Sequence, residues 1–101
     1  MEKDFGLTEL FDIYGDLLTE RQKELFSSYY IYDLSLSEIS EPEGKTRQSV
    51  SDAIRKVKDK LEKYEKVLRI REKNEALYAL AEKVGSTDRE LSEKILEIIG
   101  K

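Results

Sequence analysis

The stretch from Thr46 to Val84 contains neither glycine nor proline, and Val50, Ile54, Val57, Leu61, Tyr64 and Leu68 follow one another within it at steps of four, three, four, three and four. Such spacing winds a single apolar stripe along an α-helix; in a strand the same residues would scatter over both faces. A long helix with one buried face is therefore expected, packed either within its own chain or against another. Leu77, Leu80, Ala81 and Val84 continue the stripe with a shifted phase, which predicts a bend or a second helix after about residue 70.

The same period runs upstream and downstream, and no convincing strand alternation interrupts it. Leu7, Leu10, Phe11, Tyr14 and Leu17 form one stripe on a first helix. Thr19 followed three residues later by Gln22 has the pattern of a capping box, which starts a second helix running to about Tyr32. Ser35 and Glu38 repeat that logic for a short third helix, which Pro42 and Gly44 terminate. Gly85 and a further capping pattern, Thr87 to Glu90, open a last helix with Leu91, Ile95, Ile98 and Ile99 on one side. In the cluster Tyr29, Tyr30, Ile31, Tyr32, one or two tyrosines must lie at a rim, because a helix cannot bury all its faces in so small a protein. The expected fold class is all-α, with five to six helices.

A chain of 101 residues is long enough for one small core, so a single domain over 1–101 is expected. With 39% hydrophobic and 40% charged residues it is too apolar for general disorder. The absence of cysteine rules out disulfides, a thiol nucleophile and zinc-thiolate sites, and permits a reducing compartment. The start Met-Glu-Lys-Asp lacks the apolar run of a signal peptide, and no later run is long enough to span a bilayer, so a cytoplasmic protein without membrane contact is expected.

The net charge of −4 conceals a strong asymmetry. Residues 1–44 carry 3 basic and 11 acidic groups, whereas residues 45–73 carry 11 basic and 5 acidic ones. The positive block begins directly after Gly44, where the recognition helix of a helix-turn-helix would start. Leu36 and Ile39 share one side of the short third helix, and Ser40 is small enough to let the next helix cross closely. Gly44 makes the turn and Thr46 can cap the helix beyond it. With Val50, Ile54 and Val57 docked inward, Gln48, Ser51 and Arg55 face outward, with Arg47 at the edge and Lys45 at the mouth.

These residue types suit a groove reader. Arginine can bridge guanine and glutamine adenine by paired hydrogen bonds, while lysine, serine and threonine hold phosphates. The candidate DNA contacts are therefore Lys45, Thr46, Arg47, Gln48, Ser51 and Arg55, with Lys56 and Lys58 as flanking phosphate partners. Asp52 and Asp59 share the face and would repel phosphate. Binding of this kind commonly uses paired half-sites, which would need a dimer surface; the long helix or the last helix is a candidate for it.

The residues Leu18-Thr19-Glu20, Gln22, Leu25, Tyr29, Tyr30, Leu36, Glu38, Ile39, Arg47, Gln48, Val50 and the run Leu61 to Glu65 resemble the YlxM family (UPF0122) of small bacterial proteins. That family is similar in turn to region four of sigma factors, which reads promoter DNA with a helix-turn-helix. The resemblance covers roughly residues 5–70. It implies a helix-turn-helix module over 19–65 and leaves 66–101 as a C-terminal helical extension. It also implies a role in the signal recognition particle (SRP) pathway, with SRP RNA or the SRP GTPase as partners; the family supplies no catalytic motif.

The chain departs from the family pattern at the turn, where apolar residues usually flank the glycine. Glu43 and Lys45 stand there instead. Burying either charge would cost several kcal/mol, roughly, so the turn is expected to lie open with both side chains in water. Together with Pro42 this predicts a shortened helix before the turn and a recognition helix that is tilted or loosely held.

Enzyme chemistry finds no footing in the residues. Gly44-Lys45-Thr46 imitates the end of a phosphate-binding loop, but the glycine required five positions earlier is Ile39, and no strand precedes it. No histidine is present for acid–base work or metal binding, and the carboxylates are scattered along helix surfaces. No enzyme, cofactor or metal site is expected. Two readings remain: a DNA-binding regulator, and an adaptor that meets SRP RNA or the SRP GTPase through the basic helix.

Overall fold

The computed structural model describes residues 5–100. Six α-helices occupy them: α1 (Phe5–Tyr14), α2 (Glu20–Phe26), α3 (Leu36–Ser40), α4 (Arg47–Leu68), α5 (Ile70–Gly85) and α6 (Arg89–Ile99), with no strand among the described residues. Two compact units divide the chain after Leu68.

The first unit is built around α4. Its residues Val57 and Leu61 join Leu7, Leu10, Tyr14, Leu18 and Phe26 in one buried cluster, while Val50 and Ile54 join Leu25, Tyr29 and Ile39 in a second. One helical seam thus serves two cores in sequence, closing first on α2 and α3 and then on α1. Aromatic rings fill the space between them: Phe11 stacks on Phe26 at 4.3 Å, Phe26 on Tyr30 at 4.7 Å, and Tyr29 meets Tyr30 edge-on at 5.0 Å. Two polar ties fix the register of α4. The Tyr14 hydroxyl donates to Glu65 Oε1 at 2.6 Å, and Lys60 Nζ donates to Gln22 Oε1 at 3.2 Å.

The predicted capping at Thr19 and Ser35 is present. The Thr19 hydroxyl accepts from the Gln22 amide at 3.1 Å while the Gln22 side chain takes the Thr19 amide, and Ser35 and Glu38 repeat the exchange. The first stripe needs correction at its end. Chain direction changes in a 3-10 turn over Gly15–Leu17, which leaves Leu17 54% exposed and buries Leu18 instead. The second helix reaches the expected region by a different path. After Phe26 it widens into a π-helical segment, Ser27–Ile31, with the Tyr32 amide bonded to Ser27 O at 2.8 Å. This places Tyr29 in the core and Tyr30 half-buried, and leaves Tyr32 at the rim.

In the second unit α5 and α6 form a helical hairpin. Ser92 Oγ donates to Ala81 O at 2.7 Å, and these two are its buried residues among those described. The break that opens it falls at Arg69, which adopts a left-handed conformation (φ 56°) between α4 and α5. The cap of α6 is Asp88, whose carboxylate accepts from the Leu91 amide at 3.0 Å, and not Thr87. Thr87 turns its hydroxyl back to Val84 O at 3.1 Å, so it closes α5 rather than opening α6.

Candidate nucleic-acid interface

The turn between α3 and α4 sets the candidate site. Ile39 and Ser40 are buried at the end of α3, and a 3-10 turn, Glu41–Glu43, carries the chain to Gly44. Gly44 is left-handed at φ 66°, with its amide on Glu41 O at 3.1 Å, and the Lys45 amide bonds Ser40 O at 3.0 Å. Thr46 then caps α4: its hydroxyl accepts from the Ser49 amide at 3.0 Å.

The departures expected at the turn are half met. The helix before it is only five residues long, as Pro42 implies. The helix after it, however, is firmly held, with Val50, Ile54, Val57 and Leu61 each at most 2% exposed. Four deep apolar anchors along one stripe outweigh the loss of two at the turn, where about 1.5–3 kcal/mol accompanies each fully buried aliphatic side chain. Glu43 and Lys45 are exposed, as expected of an open turn, yet they are not unpaired. Arg21 of α2 forms a salt bridge with Glu43, and Lys45 Nζ lies 3.9 Å from the same carboxylate. The Arg21 hydrogen bond holds the Glu43 carboxyl below the ordinary range, with Lys45 adding to the effect. A solvent-exposed ion pair between α2 and the turn thus stands where the family pattern has apolar residues.

Lys45, Thr46, Arg47, Gln48 and Arg55 are all exposed and Ser51 is half-exposed. Lys45, Thr46 and Arg47 line one shallow depression together with Ser37, Ser40 and Glu41. Lys56 lies elsewhere, in a groove between α2 and α4 that Arg21, Gln22 and Lys45 also line. Two residues advance a helix by roughly 200°, so Lys56 and Lys58 flank the outward face on opposite sides. Arg47, Lys56 and Lys58 make no ion pair among the described residues.

Asp52 matters more than its charge alone suggests. Its Oδ1 accepts from Gln48 Nε2 at 2.9 Å and lies 3.5 Å from Arg55 Nη1. The two side chains best suited to base edges are thereby tied to one another across a single helical turn. Spacings of four and three residues made this contact legible in the sequence, where Asp52 was weighed only as a repulsive charge. Arg21 was missed as well: its placement beside Lys45 and Lys56 depends on how α2 crosses α4, which no local pattern encodes.

A short helix, a left-handed glycine turn and a capped, cation-bearing helix docked by an apolar seam define a helix-turn-helix protein. The model of one family, UPF0122, described as "Putative helix-turn-helix protein, YlxM / p13 like", matches residues 1–99. The chain belongs to that family. Among its relatives, a UPF0122 protein of Caldanaerobacter subterraneus subsp. tengcongensis is 45% identical over 85 residues, covering 83% of this chain and 73% of the relative. Another from Ureaplasma urealyticum serovar 10 is 42% identical over 99 residues, or 95% of each chain. No described helix is long and apolar enough to cross a membrane.

Proposed function

We propose that this protein binds double-stranded DNA as a regulator, with the N-terminal half of α4 in the major groove. The observation that carries the reading is the pairing of a rigidly packed inner face, Val50 to Leu61, with exposed Lys45, Arg47, Gln48 and Arg55 on the outer side. A groove reader needs both, because contacts to base edges require a helix that does not shift. In this reading Arg47, Gln48 and Arg55 meet bases, and Ser51, Lys45, Lys56 and Lys58 meet phosphates. Thr46 chiefly positions, since its oxygen already holds the helix start.

A second reading draws on the Gln48–Asp52–Arg55 tie. With two of the three proposed base-reading side chains, Gln48 and Arg55, engaged by a carboxylate, contacts to phosphate and shape gain weight over contacts to bases. That favours an adaptor that meets SRP RNA, whose A-form duplex hides its major-groove edges, or the SRP GTPase. The family resemblance carries the link to that pathway.

Sequencing the nucleic acid that remains bound to the protein in cell extract separates the two. Enrichment of a recurrent duplex DNA motif supports the regulator; recovery of SRP RNA with no DNA motif supports the adaptor and removes the first reading. Retention of neither at physiological salt contradicts the regulator and the RNA adaptor; failure of the purified SRP GTPase to co-migrate with the protein as well contradicts the adaptor reading altogether.

A further inference from the structure

The α5–α6 hairpin leaves most of its apolar surface uncovered. Leu80 is 50% exposed, Leu91 47% and Ile98 74%, with Leu77 exposed beside them. Their arrangement is ordered. Ala81 and Ser92 mark the line along which the two helices touch. At 100° per residue, Leu77, Leu80 and Val84 fall on one flank of that line on α5. On α6 the flank holding Leu91 and Ile98, with half-buried Ile95 next to the contact, is brought to the same side by the antiparallel run. Tyr78 and Leu96 fall on the opposite side. One broad apolar face, contributed equally by both helices, results.

We propose that this face is a dimerisation surface, docking on the same face of a second copy of the chain to close a four-helix bundle. The inference goes beyond nucleic-acid binding and does not depend on it. Three observations select a second copy as the occupant. The unit from Arg69 onward is small, and units below about 40 residues rarely hold a core without disulfides, metals or oligomerisation. This chain contains no cysteine, and among the described residues no cluster suited to a metal forms.

Charge is the second observation. Residues 69–101 carry 7 basic and 7 acidic groups, so two hairpins do not repel. Flanking charges pair along their own helices, Arg71 with Glu75 at 3.4 Å, Arg89 with Glu93 at 3.6 Å and Lys94 with Glu90 at 3.8 Å. A strongly acidic or basic partner finds no field of opposite sign here. The third is arrangement: a face shared by two antiparallel helices of similar course can meet its own copy about a two-fold axis, as in a four-helix bundle.

Two helix widths of about 10 Å and a shared length of about 16–20 Å give a footprint on the order of 400 Å² per copy. Over both copies that is about 800 Å², below the roughly 1,200 Å² of standard specific interfaces and in the range of weak, transient ones, so the dimer should dissociate on dilution.

Sedimentation equilibrium of the full chain tests the proposal. The wild type should move from dimer to monomer on dilution. The double variant Leu80→Glu, Ile98→Glu should remain monomeric at concentrations at least tenfold higher, with helical circular dichroism retained, and Leu96→Glu on the opposite side should dimerise as the wild type does. A wild type that is monomeric throughout, a double variant that still dimerises, or loss of dimer only in Leu96→Glu overturns it. Should the double variant lose helix, Ile98→Cys supplies the reading, because its thiol is unique in this cysteine-free chain. Maleimide labelling there should slow several-fold as protein concentration rises; a rate independent of concentration also overturns the proposal.

Discussion

The unit ending at Leu68 and the hairpin beginning at Arg69 are both helical, yet they are held by different means. Twelve of the thirteen buried apolar side chains among the described residues, Leu7 to Leu61, lie in the first; the hairpin contributes Ala81 alone. In the first unit contacts between residues distant in sequence fix every helix against α4. In the second, the buried residues among those described are Ala81 and Ser92, joined by one hydrogen bond, and the ion pairs lie within single helices. The difference explains why the candidate interface sits where it does: base recognition requires a helix fixed by long-range packing, and α4 has it. It also explains why the hairpin retains apolar surface for another copy.

The largest effect expected from this contrast is at Leu61, which is fully buried. Leu61→Ala should cost about 2–5 kcal/mol in urea unfolding, whereas Leu80→Ala, measured at low protein concentration, should cost under about 1 kcal/mol. Equal losses would break the comparison. Next, Gly44→Ala introduces no clash, since a Cβ there meets nothing within 4 Å, but it must adopt φ 66°. A cost of about 1–2 kcal/mol in thermal or urea unfolding is expected from the backbone alone. In the hairpin, Ser92→Ala leaves Ala81 O without its side-chain donor and should lower stability by about 1 kcal/mol, roughly. Amide exchange should then quicken in α5 and α6 while α4 between Val50 and Leu61 is unchanged.

The smallest effect is set by pH. The Glu43 carboxyl titrates below its ordinary value because of Arg21 and Lys45, so the bridge contributes fully above the unfolded-state value and is lost as pH falls through the lower folded one. Unfolding midpoints compared for the wild type and Glu43→Gln should differ slightly at neutral pH and converge in acid. Since the carboxylate is open to solvent, screening keeps the difference small and salt reduces it.

Much of the first unit was legible in the sequence because its signals are local. The hydroxyls of Thr19, Ser35 and Thr46 cap as their spacing predicts, Gly44 turns, and the seam expected from Val50 to Leu68 is buried as far as Leu61, with Tyr64 partly buried and Leu68 42% exposed at its end. What escaped depends on competition between neighbours. Nothing in Ser27–Ile31 announces the π-helical turn that carries Tyr29 into one buried cluster and sets Tyr30 against both. Arg69 is not a residue type that marks a left-handed break, so only the shifted apolar phase hinted at it. Asp88 displaced Thr87 as a cap because both residues offered an oxygen and the threonine found a carbonyl behind it. At the candidate interface residue types were legible, as was the spacing behind the Asp52 tie, while Arg21 as a neighbour required the fold.

Removing that tie sharpens the account of the site. Asp52→Ala removes the acceptor that holds Gln48 together with the charge beside Arg55 and should strengthen binding to duplex DNA several-fold, most at low salt.

The most direct measurement is fluorescence anisotropy of a promoter duplex titrated with the wild type and with the double variant Arg47→Ala, Gln48→Ala, both checked for unchanged helical content. Each side chain that meets a base is worth about 1–3 kcal/mol of discrimination. The account predicts at least a tenfold loss of affinity for the preferred duplex and a smaller loss for unrelated DNA; equal affinity of the two proteins for both duplexes would contradict it.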